Sequence, residues 1–186
     1  MALVIFVAFL ALVVFWVISI YNGLVGVRNQ VANAWKQIDV QLKRRHDLIP
    51  NLVSTVKGMM KFEQETLTKV MEARAKAVGA TTVAEKGAAE SELGRSLGRL
   101  LAVFENYPEI KSNQNVLRLQ EELTTTENQI GFSRQHYNDL VMRFNMKQQV
   151  FPSNAVAGFF RFQPSDFFST PESEKATPRV DLKLPS

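Results

Sequence analysis

The sequence has no cysteine, only two histidines, and no acidic residue before Asp39. The lack of cysteine excludes disulfide bonds, thiolate metal sites and cysteine nucleophiles. Phosphate-binding loops are missing as well. Neither His46 nor His136 follows a Glu by three residues, as the Glu-x-x-His pairs of di-iron bundles require. We therefore predict no metal, no cofactor and no enzymatic activity.

The charge balance is mild, with a formal net charge of +4 spread over a mixed-charge surface. Nucleic-acid binding calls for clustered basic residues interleaved with aromatic side chains that stack on bases. The sequence has no such stripe, so we predict no nucleic-acid partner.

A long apolar run at the N-terminus is the strongest feature of the sequence. Every residue from Ala2 to Ile18 is apolar, and Ser19, Ile20 and Tyr21 follow. A helix of about 19 such residues is about 28 Å long, enough to cross the hydrocarbon core of a bilayer. A cleaved signal peptide is the alternative, but it needs a basic start, a shorter apolar stretch and a small-x-small cleavage site. We expect a retained transmembrane helix over residues 1–21.

The charged residues that follow the apolar run are mostly basic. Five basic residues stand against the single acid Asp39 up to position 45: Arg28, Lys36, Lys43, Arg44 and Arg45. The positive-inside rule then places the N-terminus outside and the rest of the chain in the cytoplasm. The predicted location is a cytoplasmic membrane that the chain crosses once, with the lipid bilayer as a partner. The alternative places the domain on the periplasmic side.

Beyond Tyr21 the apolar residues are three or four positions apart, a spacing typical of amphipathic helices. No proline interrupts residues 2–49, so the membrane helix is predicted to continue as a rod of about 65 Å that ends near His46. The segment 45–50 then predicts a reversal, in which Asp47 caps a second helix and Pro50 occupies its first turn. That helix is predicted to end near Gly79.

Thr81 and Thr82 are predicted to cap a third helix that runs to Phe104, before Pro108 breaks the pattern. The fourth helix has nine successive matches to a heptad pattern, at Val116, Leu119, Leu123, Thr126, Ile130, Ser133, Tyr137, Leu140 and Phe144. Such a run indicates a long helix in a near-parallel bundle, in which the small polar Thr126 and Ser133 allow close approach or a hydrogen bond to a neighbour. The predicted fold is all-α, with an antiparallel four-helix bundle over residues 22–150.

The chain changes character after Val150. Residues 151–168 form an aromatic-rich segment with five phenylalanines close together: Phe159, Phe160, Phe162, Phe167 and Phe168. Five exposed rings would be a large apolar patch, so the segment either covers the bundle, inserts at the bilayer interface or contacts another protein. Arg161 among the rings would reach lipid phosphates in the second case. Residues 169–186 are rich in Pro, Ser, Thr and charge and are predicted to be disordered.

The sequence resembles the LemA family, and short blocks along residues 21–165 carry the resemblance. These blocks are Tyr21–Val25, Trp35–Arg45, Asp47–Val53, Ala73-Arg74, Tyr107-Pro108, Thr126–Ile130, Arg134, Tyr137-Asn138, Asn145 and Phe151-Pro152. His46 stands where the family usually has Tyr. The resemblance implies a bacterial membrane protein with a helical-bundle domain, and it supplies no catalytic residues.

Polar residues gather at two places and form the candidate site. They are Gln41, Arg44, Arg45, Asp47 and Asn51 around the predicted reversal, and Glu127, Asn128, Arg134, Asn138 and Asn145 on the fourth helix. One interpretation is a polar pocket or docking surface. The other is that Asp47 caps a helix and the arginines pair with bundle carboxylates. Arg44 and Arg45 are adjacent and cannot both face the core, so at least one should be available outside.

Three hypotheses for function follow. The first is a membrane-anchored scaffold or adaptor that binds without chemistry, either to itself or to another membrane complex. The second is a membrane-shaping protein that acts through the aromatic-rich segment, and the third is an enzyme whose site the sequence pattern does not reveal. We predict a homo-oligomer, because long helices with heptad spacing often leave a second apolar stripe to bury.

Overall fold

The computed structural model describes residues 1–60 and 63–168, and within these ranges all regular structure is helical. The helices are α1 (Ala2–Val56), α2 (Gln64–Gly79), α3 (Val83–Phe104), α4 (Pro108–Lys111), α5 (Gln114–Gln149) and α6 (Ser153–Phe159). The tail predicted to be disordered, residues 169–186, lies outside the described residues.

Helix α1 combines the apolar run and the first bundle helix in one element. It has 55 residues, which corresponds to about 82 Å at the usual helical rise. Its most apolar stretch has a mean hydropathy of 3.1 and none of it is buried against other parts of the chain. It is the one helix in the described ranges that is long and apolar enough to cross a membrane.

The predicted reversal at residues 45–50 is wrong. Helix α1 continues without interruption to Val56, so Pro50 lies inside it and Asp47 is a mid-helix residue rather than a cap. The turn comes about ten residues later, between Val56 and Gln64, and the residues assigned to the start of the second helix belong to the end of α1.

Proline is tolerated at position 50 because another side chain takes over the hydrogen bond it removes. A proline has no backbone N–H, so the carbonyl four residues earlier, that of His46, loses its helical partner. The Nε of Arg74 on α2 donates to this His46 carbonyl oxygen at 2.7 Å. A buried carbonyl without a partner would be costly, and Arg74 therefore stabilises the helix through Pro50 while joining α2 to α1.

The half of the molecule far from the apolar run is a bundle of four helices. Its core consists of buried residues from the end of α1, from α2, α3 and α4, and from the start of α5. Among the fully buried side chains are Leu52, Val70, Leu93 and Val116, one from each long helix. Because short connections join α1 to α2 and α2 to α3, consecutive helices run antiparallel, and the predicted fold is confirmed here.

In the half nearer the apolar run, the two long helices are α1 and α5. Arg45 lies opposite Glu127, and ten residues earlier Trp35 lies opposite Tyr137, which shows that the two helices are antiparallel. Their shared core includes Ile38, Ile130 and Phe144. Two helices cannot bury an apolar core alone, and the chain after α5 returns to cover this one.

Seven of the nine heptad positions predicted on α5 are buried, and Leu119 and Ser133 are half-buried. Thr126 is buried, and its hydroxyl donates to the Glu122 carbonyl of its own helix at 2.7 Å. The predicted start of α3 is confirmed in detail. The Thr82 hydroxyl accepts from the Glu85 N–H, and backbone N–H groups of Thr82 and Thr81 donate to the Glu85 carboxylate. These donors hold the pKa of Glu85 below its usual value.

Candidate functional site

Charged side chains meet inside the bundle at the centre of the predicted polar site. The Arg45 Nη1 lies 3.3 Å from one Glu90 carboxylate oxygen and 2.8 Å from a Glu127 carboxylate oxygen. The His46 Nε2 lies 2.6 Å from the other Glu90 oxygen, so the ring N–H donates to that carboxylate. Arg45, His46 and Glu90 are buried, whereas 48 % of the Glu127 side chain is exposed. We call these four residues the charge cluster.

The charge cluster joins three helices, because its members come from α1, α3 and α5. Both Glu90 oxygens have partners and Arg45 pairs with two carboxylates, so the groups satisfy one another. A groove of about 390 Å³ opens beside the cluster between α3 and α5, with Gly94, Leu97 and Leu123 among its lining. The Arg45 guanidinium lines this groove but is already paired with Glu90 and Glu127. The arrangement holds the three helices together.

The other residues of the predicted site do not belong to the charge cluster, although Asn128 lines the groove beside it. Arg44, Asp47, Asn51 and Asn128 are exposed, and the alternative in which Asp47 caps a helix fails with the predicted reversal. Gln41 carries the one buried side-chain oxygen, within the described ranges, that lacks a hydrogen-bond partner. Glu90 and Arg74 were not predicted as site residues. Arg74 belongs to the Ala73-Arg74 block that carries the resemblance, but the sequence around it does not indicate that it binds the His46 carbonyl.

No three His, Cys, Asp or Glu side chains of the described residues are grouped so that they could hold a metal ion. The two histidines are also far apart in the fold. His46 is buried in the charge cluster, and His136 is exposed on α5.

The end of the aromatic-rich segment lies along α1 and α5. Residues 162–168, which we call the strap, are non-helical and are held by the side-chain amides of two asparagines of α5. Asn145 accepts from the Ser165 N–H and donates to the Ser165 carbonyl, both at 2.9 Å. Asn138 makes the same pair of bonds with Phe168, at 2.9 and 3.1 Å.

The spacing of these contacts explains why both can form. Seven residues of helix rise about 10.5 Å between Asn138 and Asn145. Three residues of extended chain cover about 10 Å between Ser165 and Phe168. The hydroxyl of Tyr137 adds a further bond by donating to the Asp166 carbonyl at 2.8 Å. The strap is therefore held by side chains of one helix at matched intervals.

The strap ends in an aromatic contact with the α1–α5 core. The Phe168 ring is buried, lies 5.7 Å from the Trp35 ring, and has the Arg134 guanidinium 5.5 Å from its centre. Arg134 and Asn138 thus bind this chain's own C-terminal segment. At the other end Phe162 packs against Phe144. For residues 162–168 the structure corresponds to the interpretation in which the segment covers the bundle.

Alkaline pH should loosen the strap. Burial of the Tyr137 hydroxyl, and secondarily the nearby Asp166 carboxylate, raises the pKa of Tyr137 above its usual value of 10. The stabilisation from neutral Tyr137 is therefore complete below about pH 10 and is lost as the pH rises through the folded-state pKa. A nitroxide on Gln163→Cys should gain mobility in that range. With Tyr137→Phe the mobility should not change at that pH, and an identical titration in both proteins would contradict the assignment.

The aromatic residues nearer α6 are arranged differently. Val156 and Ala157 of α6 are buried against Leu24, with Val17, Ile20 and Tyr21 of α1 alongside. The outward rings stay uncovered: Phe159 is 81 % exposed and Phe151 84 % exposed. Phe167 is also largely exposed.

Comparison with known proteins adds a family to this geometry. The sequence model of the LemA family matches residues 34–182, which is most of the chain. The chain belongs to the LemA family. Protein LemA of Metamycoplasma hominis is 29 % identical, over 87 % of this chain and 72 % of that protein. The predicted resemblance is therefore confirmed.

The LemA-family chain is also similar to proteins named for the magnetosome. Magnetosome protein MamQ 2 of Paramagnetospirillum magneticum is 24 % identical, and Magnetosome protein MamQ of Magnetospirillum gryphiswaldense is 22 % identical. Each match covers 80 % of this chain and 64 % of the relative, so the chain spans just under two thirds of the MamQ proteins. Together with the apolar start of α1, these relatives are consistent with a membrane-associated protein.

Proposed function

We propose that this LemA-family chain is a membrane-anchored scaffold that acts by binding rather than by chemistry, and that its first partner is a second copy of itself. The observation that carries the proposal is an exposed apolar stripe on the outer face of α5. The polar side chains that could have served chemistry, those of Arg45, His46 and Glu90, are instead engaged in holding helices together. Cytoplasmic placement of the domain stays a prediction of the positive-inside rule.

The outer stripe consists of Phe132, Met142 and Met146 on α5 and of Val150 directly after the helix, and Phe132 is 70 % exposed. At 100° per residue, these positions lie within an arc of roughly 80° on the side of α5 opposite the core. Gln135 and Asp139 lie on the same face between Phe132 and Met142, so that successive positions are three or four residues apart. The helix therefore carries two heptad-spaced faces, and only the inner one is covered in the folded chain.

A second copy is the occupant that this stripe fits best. Two chains anchored through α1 in one membrane hold their α5 helices in the same direction, as a two-fold axis along the membrane normal requires. Heptad spacing then lets the same positions of both helices face each other. Confinement to the membrane raises the effective concentration, so a modest apolar contact is sufficient for pairing.

Asp139 sets a limit on this pairing. It lies on the stripe between Phe132 and Met142, so a symmetric parallel pair brings the two Asp139 carboxylates near each other. Like charges at such a position destabilise the pair. We therefore expect Asp139→Asn to strengthen self-association, and the wild-type pair to dissociate readily.

Cysteine cross-linking tests the pairing, because the chain has no native cysteine. Gln135→Cys places a thiol on the stripe, while His136→Cys places one at the same height but about 100° around the helix. In full-length protein diluted into liposomes, we expect Gln135→Cys to form disulfide-linked dimers several-fold faster than His136→Cys. Adding Met142→Glu and Met146→Glu should remove that difference.

Equal cross-linking at the two positions would show that α5 does not pair through this face. A rate at Gln135→Cys that stays high with both glutamates present would contradict the apolar contact. Helix content by circular dichroism should be the same in all variants, because each altered side chain is exposed.

A further inference from the structure

Helix α6 lies at the height where the apolar run of α1 ends. Its buried residues Val156 and Ala157 pack beside Val17, Ile20 and Leu24. The apolar run ends at Ile20, so a bilayer that contains the run has its surface near this level. Tyr21, of a residue type enriched at membrane interfaces, lies at the same place. The position of α6 along α1 is therefore that of a helix at the membrane surface.

The exposed aromatic rings of the chain concentrate at this level. Phe151 precedes α6, Phe159 is the last residue of α6, and Phe160 comes directly after it. The Phe159 and Phe160 ring centres are 5.1 Å apart, and Phe160 lies 4.6 Å from Tyr21. Phe151 and Phe159 are largely uncovered and Phe160 is about half exposed. Such rings would be unfavourable beside water, but they are suited to the boundary between headgroups and acyl chains.

The charged side chains at the same end of the domain are mostly basic. Residues 22–35 contain Arg28, residues 140–165 contain Arg143, Lys147 and Arg161, and Asp166 is the acidic residue that follows them. Antiparallel packing of α1 and α5 brings both ranges to the end of the domain beside the apolar run. Basic residues that border a transmembrane helix attract anionic lipid headgroups. Charge and apolar surface therefore favour the same partner.

From these observations we propose that α6 and its flanking phenylalanines dock on the bilayer leaflet from which α1 emerges. Phe151, Phe159 and Phe160 insert at the headgroup boundary, while Lys147 and Arg161 contact lipid phosphates. This second attachment fixes the tilt of the domain, because α1 alone would leave it free to lean. Tyr21 and Phe162 link the inserted rings to Phe144 in the α1–α5 core, so the orientation passes to the whole domain.

Site-directed spin labelling measures this contact directly in the full-length protein. A nitroxide at Phe159→Cys is compared with one at Val78→Cys, which replaces an exposed valine of α2 beside Lys43 of α1, about 35 Å along α1 from Ile20. The proteins are reconstituted in phosphatidylcholine liposomes. A second set of liposomes contains about one anionic phosphatidylglycerol in every three lipids. Collision rates with oxygen, which is enriched in lipid, and with a water-soluble nickel chelate report the depth of each label.

We expect the oxygen-to-nickel ratio at Phe159→Cys to exceed that at Val78→Cys by at least several-fold in both lipid mixtures. Equal ratios at the two positions would overturn the docking of α6. With Lys147→Gln and Arg161→Gln added, the ratio at Phe159→Cys should fall in the anionic liposomes. If the ratio in the anionic liposomes did not change, the contacts of Lys147 and Arg161 with lipid phosphates would be contradicted. Pairing through α5 is measured by cross-linking at other positions, so the two proposals fail independently.

Discussion

Replacing Glu90 by alanine is expected to lower the free energy of unfolding by about 3 kcal/mol, because it leaves buried charged and polar partners uncompensated. His46 loses its hydrogen-bond acceptor, and Arg45 loses one of its two carboxylates. The half-exposed Glu127 still pairs with Arg45 at 2.8 Å, which limits the loss. Because Glu90 joins α3 to α1, the destabilisation should appear across the whole bundle.

The chain supplies a matched control two residues away on the same helix. Glu92 pairs with Lys76 of α2, but both side chains are largely exposed. Surface ion pairs contribute at most about 1 kcal/mol, so Glu92→Ala should change stability by less than that. Urea unfolding of the full chain in detergent, followed by hydrogen exchange of α3, compares the two variants. Equal effects of Glu90→Ala and Glu92→Ala would show that the charge cluster does not stabilise the bundle.

A triple replacement separates two roles of the cluster. Buried ion pairs are often no more stabilising than apolar residues of similar volume. Arg45→Met, His46→Leu and Glu90→Leu together should therefore cost much less than Glu90→Ala alone, within about 1 kcal/mol of the parent. If the triple variant is as unstable as Glu90→Ala, the cluster contributes through attraction rather than through the avoidance of unpaired charge.

The sequence was sufficient to predict the elements whose signals are local. The capped start of α3 at Thr82 and the heptad spacing of α5 depend on residues a few positions apart, and both formed as predicted. The apolar start of α1 is likewise read from consecutive residues. Helical periodicity identified the inner face of α5 because burial follows the same period.

The end of α1 was mispredicted because its explanation is non-local. Pro50 ordinarily marks a helix start or a break, and Asp47 before it strengthens that interpretation. The helix continues because Arg74, 24 residues further on, binds the carbonyl that Pro50 leaves free. Nothing in the pattern around Pro50 indicates this partner. The pairing of Arg45 with Glu90, 45 residues apart, is of the same kind.

The strap was also beyond local patterns. The phenylalanines of the strap indicated that it should be buried. The groups that the asparagines bind, however, are backbone N–H and carbonyl groups of the strap, which every residue other than proline has and which no sequence pattern marks. Asn138 and Asn145 were marked as polar residues on the fourth helix, yet their amides could have faced solvent or a partner. The structure shows that the chain returns along α5 after α6. Each asparagine amide then both donates to and accepts from the backbone of one strap residue.

Removing both strap asparagines should release residues 162–168 from the domain. Asn138→Ala and Asn145→Ala together delete four hydrogen bonds and leave four backbone groups to find other partners. At about 1 kcal/mol per bond or somewhat less, the strap should lose about 2–4 kcal/mol of stability. Exchange of the Ser165 and Phe168 amides should then accelerate on the order of 30-fold or more. Asn128→Ala, an exposed asparagine on the same helix, is the control and should leave that exchange unchanged.

Release of the strap should also be visible at Trp35, whose ring packs on Phe168. In a Trp16→Phe background Trp35 is the remaining tryptophan, and its emission should shift to longer wavelength as Phe168 leaves. Unchanged emission and exchange in the double variant would mean that aromatic packing of Phe168, rather than the asparagines, holds the strap. Because Phe162 and Phe160 connect the strap to Tyr21, its release should also loosen α6, and the nitroxide at Phe159→Cys then reports whether docking on the bilayer depends on the strap.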